Sequence, residues 1–298
     1  MPTKVVVALL NAEQEFQQLQ AKDARDTGSR LGLDVEVVFA GGHAVVQIQQ
    51  LFKHIHAPEG ERPAAIVVEV ATAEGLERVA RNAVQAGIGW ILVNARVSYV
   101  DAFRAAHPDL PIAMLGTDQK EVGRIQGRQC RSLLPGGGRA LCMQGPADST
   151  VSADRLAGLK EALGTGFEVR GLNGDWTEAG GAKTVTSWLR LKTADAFTPD
   201  IVVSQNDSMA AGARTALRDH RPEWASLPFL GCDGLPEGGQ RMVAQGDLVA
   251  TVVTPSNTGP ALEIVSRWLR AQQIPSREIL LLPRSHPPED RLRPWRSR

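Results

Sequence analysis

The sequence predicts an α/β protein of two lobes, each built on a parallel sheet with helices on both faces. Three observations predict it. The chain is 298 residues long, too long for one compact core of the usual size. Short, continuous apolar runs alternate with longer amphipathic stretches, which is the pattern of parallel strands buried on both sides. The alternation also starts afresh halfway along, in a second series of similar size.

In the first series, strands are expected at Val5–Leu10, Val35–Phe39, Ala65–Val70 and Trp90–Asn94. Helices are expected at Gln14–Leu31, Val45–His56 and Ala73–Ala86. Gly32 and Gly87 stand where a left-handed C-cap would end a helix. Pro111–Thr117 reads as the first connection between lobes. In the second series, strands Ala140–Met143, Val169–Leu172, Ile201–Ser204 and Phe229–Cys232 alternate with helices near Asp154–Leu163, Ala182–Leu191, Ser208–Arg218 and Glu237–Ala244. Strands Leu248–Thr254 and Ile279–Leu282, with helix Pro260–Ala271 between them, leave room for further crossings. The expected boundaries are residues 1–116 plus about 255–281 for the first lobe, and 117–254 plus about 282–298 for the second. No low-complexity linker separates them, and several short crossings suit a hinge.

Composition narrows the function. Apolar residues make up 43% and charged residues 22%, with 33 acidic against 33 basic side chains. Such a balance points to no nucleic-acid or membrane surface. The Arg-rich end (Arg291, Arg293, Arg296, Arg298) is short enough to be a solvated tail. Cys130, Cys142 and Cys232 are widely spaced, without a CxxC or Cys/His cluster, so buried thiols are expected rather than zinc or disulfides. The opening apolar run, Val5–Leu10, is too short for a signal-peptide core and reads as a buried strand. On that reading the chain as given carries no export signal and would be cytoplasmic.

Open parallel sheets bind ligands outside the carboxyl ends of their strands. In the first lobe those positions hold Asn11, with Phe16 one turn on, and Asn94, with Arg96 close behind. In the second they hold Arg155 at a helix opening, Asp175-Trp176, Ser204-Gln205-Asn206-Asp207, Gly231-Cys232-Asp233-Gly234 and Thr254. Amides and carboxylates address vicinal hydroxyls, arginine donates a fixed fork, and an indole covers the apolar face of a sugar ring. Each residue has a plainer reading. Asn206 and Asp207 are ordinary N-caps, Asp233-Gly234 an ordinary turn, Trp176 and Phe16 core anchors, and Arg155 a surface residue.

Catalytic signatures are missing. Gly136-Gly137-Gly138 has neither dinucleotide nor P-loop spacing, and it precedes a strand. There is no GxSxG, and no histidine has a nucleophile-and-carboxylate context. No enzyme, cofactor or metal is expected.

Several stretches resemble the type I periplasmic sugar-binding proteins of the ribose-binding branch. They are Lys4–Asn11, Ser204-Gln205-Asn206-Asp207-Ser208-Met209-Ala210-Ala211-Gly212-Ala213 and Gly231-Cys232-Asp233-Gly234-Leu235-Pro236-Glu237. Gly246-Asp247-Leu248-Val249-Ala250-Thr251-Val252 and Gly116-Thr117-Asp118-Gln119 with Gly123 continue the likeness over nearly the whole chain. The resemblance implies two Rossmann-like lobes joined by three strands and closing on a ligand at a hinge. It implies a hydroxyl-binding amide at Asn206 and carboxylate at Asp233, a ligand-binding Arg155, and a stacking ring at Trp176. Phe16 resembles an aromatic pocket residue. The departures lie in the first lobe: Asn94 where the branch often carries Asp, Asn11-Ala12-Glu13-Gln14-Glu15-Phe16 for a more aromatic run, and Thr254 where a Gln is common.

A monomeric solute-binding protein for ABC-type uptake of a sugar or polyol follows from the resemblance. It would be periplasmic, with an ABC permease or membrane sensor as partner. A cytosolic ligand sensor using the same clamp is the alternative, motivated by the start of the chain. No helix-turn-helix headpiece precedes the first strand, so no nucleic-acid partner is expected.

Overall fold

The computed structural model describes residues 2–72, 75–224 and 226–295. Ala73, where one helix was expected to begin, and Arg296 and Arg298 of the Arg-rich end lie outside them. The chain divides into two compact units. The first comprises Met1–Thr117 and Ser256–Leu281, the second Asp118–Pro255 and Leu282–Arg298.

The first unit holds β1 (Thr3–Leu9), α1 (Glu15–Leu31), β2 (Leu33–Phe39), α2 (Ala44–Ile55), β3 (Ala65–Glu69), α3 (Glu77–Gln85), β4 (Gly89–Val93), α4 (Val100–Ala106) and β5 (Ile112–Thr117). After the chain returns, α11 (Thr258–Ala271) and β11 (Glu278–Leu281) complete it. The sheet runs β11-β5-β4-β3-β1-β2, with parallel pairing throughout. Alternate residues feed opposite faces. Val6, Ala8, Ile66, Val68, Trp90 and Leu92 pack with residues of α2, α3 and α4. Val5, Val7, Leu9, Val67, Ile91 and Val93 pack with α1 and α11. Burial on both faces is why these strands read as unbroken apolar runs.

The second unit holds α5 (Gln119–Leu133), β6 (Gly138–Gln144), α6 (Thr150–Leu163), β7 (Phe167–Asn173), α7 (Glu178–Leu189), the short α8 (Lys192–Asp195), β8 (Ile201–Ser204), α9 (Asp207–His220), β9 (Phe229–Asp233), α10 (Arg241–Gln245), β10 (Ala250–Val253) and β12 (Arg284–His286). Its sheet order is β12-β10-β9-β8-β6-β7, parallel except for the β10–β12 pair. Leu141, Met143 and Val202 face α7 and α9, while Ala140, Cys142, Ile201 and Val203 face α5 and α6.

Three local expectations change. The helix foreseen near Glu237–Ala244 is a π-helical turn, Pro236–Gln240, running into α10. The segment Pro111–Thr117 supplies β5, a full member of the first sheet rather than a bare connection. Helices α4 and α5 and the antiparallel β12 were not foreseen at all. All three cysteines are free and buried, and burial pushes the Cys142 thiol up to about 12. Among the described residues, no helix is long and apolar enough to cross a membrane.

Candidate functional site

In the second unit the side chains at the carboxyl ends of the strands converge on Arg155. This residue lies in α6, which Ser149 caps by accepting from the Ser152 N–H at 3.3 Å. Only 6% of Arg155 is exposed, so the surface reading fails. Its Nε donates to Gln119 Oε1 at 2.8 Å, and its Nη1 donates to the Gln205 carbonyl. Nη1 also lies 3.7 Å from Asp233 Oδ1. The guanidinium sits 5.7 Å from the centre of the Trp176 ring, within cation–π range.

Trp176 is half-buried and belongs to neither core layer of its unit, so it is no core anchor. It holds a left-handed backbone (φ 70°) in the loop after β7. Its indole lies against Gly145, where a Cβ would come within 2.0 Å of Cζ2; only glycine leaves the ring that position. Asn206 fixes the loop. Its Oδ1 accepts from the Met209 N–H at 2.9 Å, capping α9, and its Nδ2 donates to the Trp176 carbonyl at 2.8 Å. The capping role is therefore real, and the same amide also anchors the aromatic platform.

Asp233 ends β9 with a left-handed backbone (φ 95°), and its side chain is 16% exposed. Its carbonyl accepts from the Thr254 N–H at 3.1 Å. The Thr254 hydroxyl is buried and meets no protein partner, as does the Ser204 hydroxyl at the end of β8. A buried hydroxyl left so costs on the order of 1–3 kcal/mol, which a polar ligand atom would recover.

Asp207, a strand-end candidate whose plainer reading is a helix cap, has a structural part in the second unit. It is 3% exposed. Its Oδ2 accepts from the Gly234 N–H and its Oδ1 from the Thr251 hydroxyl, both at 2.7 Å. Gly231 and Gly239 press close, since a Cβ on either would fall 2.0 or 2.1 Å from a carboxylate oxygen. The carboxylate thus ties the loop that carries Asp233 to β10.

The first unit gathers a different cluster. Asn11 is half-buried and accepts from the Glu13 N–H at 3.0 Å, making a local turn. Phe16, half-buried in the first turn of α1, joins neither core layer of its unit. Asn94 has a left-handed backbone (φ 54°) at the end of β4. Its Oδ1 accepts from Asn257 Nδ2 at 2.7 Å, and its Nδ2 lies 3.4 Å from Glu69 Oε1. Arg96 turns outward to Glu278, at 2.7 Å. The centre of the cluster is Glu69, whose Oε2 accepts from Gln17 Nε2 and Gln20 Nε2, each at 2.8 Å.

Sequence reasoning missed Glu69, Gln17, Gln20 and Asn257 here, and Gln119 and Gln205 as partners of Arg155. Glu69 could have been found: β3 ends at Glu69, whereas the expected strand ran on to Val70 and hid the residue inside it. Among the described residues, no group of three His, Cys, Asp or Glu side chains could hold a metal ion. The clusters offer carboxylate, amide, guanidinium and indole groups, which suit recognition of a hydroxyl-rich molecule.

Known proteins resemble this chain in sequence and fold. The chain is 22% identical over 271 residues to the xylitol-binding protein of Mycolicibacterium smegmatis, covering 89% of this chain and 72% of that one. The fold matches the myo-inositol-binding protein of Caulobacter, solved with myo-inositol, with a TM-score of 0.80 and 21% identity over 96% of this chain and 94% of that one. It matches equally the binding-protein component of the arabinose ABC transporter of Shewanella sp. ANA-3, bound to L-arabinofuranose (TM-score 0.80, 22% identity, 94% and 90% coverage). Residues 5–258 match the periplasmic binding protein domain, and the chain belongs to that family, a family of binding proteins rather than enzymes.

Proposed function

We propose that this protein captures a sugar or other small polyhydroxylated ligand by hinge closure, as the solute-binding component of ABC-type uptake. The observation that carries the proposal is the second-unit cluster. Asp233 and the Trp176 indole lie against Arg155, and Thr254, whose buried hydroxyl has no protein partner, is bonded through its backbone to Asp233. A polyol offers each its complement: donors and acceptors for the charged pair, an apolar C–H face for the indole, and a hydroxyl for Thr254. Asn206 acts chiefly by holding Trp176, while Asn11, Phe16 and Asn94 supply the contacts of the first unit. The ligand engages one unit, and its differential affinity for the closed form shifts the population toward closure. A closed form then presents the surface that a permease partner recognises.

The relatives support the ligand class: one is named for xylitol, and solved neighbours hold myo-inositol and L-arabinofuranose. The test is thermal shift and tryptophan fluorescence against xylitol, myo-inositol and L-arabinose, run beside Asp233→Ala. A bound compound raises the melting temperature by mass action, and Asp233→Ala abolishes the shift. If no hydroxyl-rich compound moves the wild type, or the variant responds equally, the assignment fails.

A further inference from the structure

The amides around Glu69 close into a ring. Gln20 Nε2 donates to Glu69 Oε2 at 2.8 Å, and Gln20 Oε1 accepts from the Asn257 backbone N–H at 3.1 Å. Asn257 Nδ2 donates to Asn94 Oδ1 at 2.7 Å, and Asn94 Nδ2 points back to Glu69 Oε1 at 3.4 Å. Gln17, bonded to the same carboxylate, accepts from the Leu10 N–H at 2.9 Å through its own oxygen. Gln17, Gln20 and Asn257 are all buried. The ring joins α1, the ends of β3 and β4, and the residue that follows the chain's return to the first unit at Ser256.

We infer that Glu69 is a positioning residue whose carboxylate sets the direction of this ring and so clips the returning segment to the strand ends that carry Asn94. The physical basis is directionality. An ionised carboxylate only accepts, so Gln17, Gln20 and Asn94 must each turn an NH2 toward it. Their oxygens then face outward, and the Gln20 oxygen meets the Asn257 N–H. Asn94 in turn is held in its left-handed conformation by both partners. Buried amide networks fix one arrangement only when every member is oriented.

The inference rests on the proposed function only in naming Asn94 a ligand contact; the ring itself is tested without ligand. Amide hydrogen exchange is followed by NMR in wild type, Glu69→Ala and Glu69→Gln. In Glu69→Ala the Asn257 amide exchanges about fivefold faster or more, the factor a net hydrogen bond confers. The Gly259 amide is the internal control. It is held by Asp23 Oδ2 at 2.9 Å, outside the ring, and keeps its protection. Glu69→Gln retains an oxygen for Gln17 and Gln20, so Asn257 stays protected in that variant. If Glu69→Ala does not fold, Glu69→Asp, which withdraws the carboxylate by one methylene, shows the same acceleration. Unchanged exchange at Asn257 overturns the inference, and so does equal acceleration at Gly259, which would mean that α11 simply loosens. A polyol screen that fails while Asn257 responds removes the proposed function and leaves the ring standing.

Discussion

Replacing Asp207 by alanine and by asparagine separates two kinds of loss at the loop that carries Asp233. The carboxylate is 3% exposed and receives the Gly234 N–H and the Thr251 hydroxyl at 2.7 Å each. Alanine removes both acceptors. The Thr251 hydroxyl can rotate toward another acceptor, but the Gly234 N–H is fixed by the backbone, and a buried donor so stranded costs ~1–3 kcal/mol. With the lost hydroxyl bond of ~1 kcal/mol, the total is about 2–4 kcal/mol. Asparagine behaves differently. Its oxygen serves Gly234, and its NH2 donates to the Thr251 oxygen, which accepts as readily as it donates. Only the charge assistance is lost, about 1 kcal/mol. Urea unfolding measures both variants, and at ~2–4 °C per kcal/mol the alanine variant also melts at least about 4 °C lower. Because Gly234 adjoins Asp233, Asp207→Ala also weakens polyol binding, while Asp207→Asn largely preserves it. Equal destabilisation by the two substitutions, or an alanine variant within ~0.5 kcal/mol of wild type, a typical surface effect, would refute the reasoning.

Thr254→Val replaces a buried, unpartnered hydroxyl with a methyl of similar size. The ligand-free melting temperature therefore holds or rises while xylitol or myo-inositol affinity falls; undiminished affinity, read by titration calorimetry, removes Thr254 from the site. His54 sets a pH dependence in the first unit. Burial, and then Lys4 and Lys53, hold its folded pKa below the ordinary value, against the opposing pull of Glu36 on β2. The unfolded chain thus binds more protons below about pH 6.5, and stability falls as pH drops through that value. His54→Gln flattens this slope in urea titrations between about pH 5 and pH 7, and an unchanged slope would assign it elsewhere.

Strands were legible because parallel strands buried on both faces spell continuous apolar runs. Helix α5 was harder to read for an equally physical reason: its buried face mixes Val122, Ile125, Cys130 and Leu133 with the amides Gln126 and Gln129 and the glycines Gly123 and Gly127. Gln126 Nε2 donates to the carbonyls of Ser204 and Gly231 at 2.7 and 3.0 Å, and Gln129 Nε2 to Ser285 Oγ at 2.9 Å. Gly123 and Gly127 let α6 approach so closely that a Cβ at Gly123 would fall 1.9 Å from the Arg155 carbonyl. The apolar period of such a stretch is diluted by polar and glycine positions that are buried as well, which weakens the helical signal. The site divides in the same way. Arg155, Trp176, Asn206 and Asp233 stand at strand ends and helix openings, where a positional rule finds them. Gln17 and Gln20 sit inside a helix whose sequence reads as polar surface, and Asn257 lies more than 160 residues from the Asn94 it holds. Their roles come from long-range pairing that no local pattern encodes.

That difference bears on how a ligand would be recognised. In the first unit Asn94 has both amide atoms turned toward protein groups, so a ligand atom there competes with Asn257 for the oxygen. In the second unit the Thr254 and Ser204 hydroxyls are buried without partners. On the proposed function, a ligand hydroxyl that reaches either one makes a bond that the protein alone has left unmade. An unmade buried bond costs ~1–3 kcal/mol, whereas exchanging one made bond for another is nearly neutral. On the proposed function, unmade bonds of this kind favour affinity in the second unit, and the amides that Glu69 orients favour selectivity in the first.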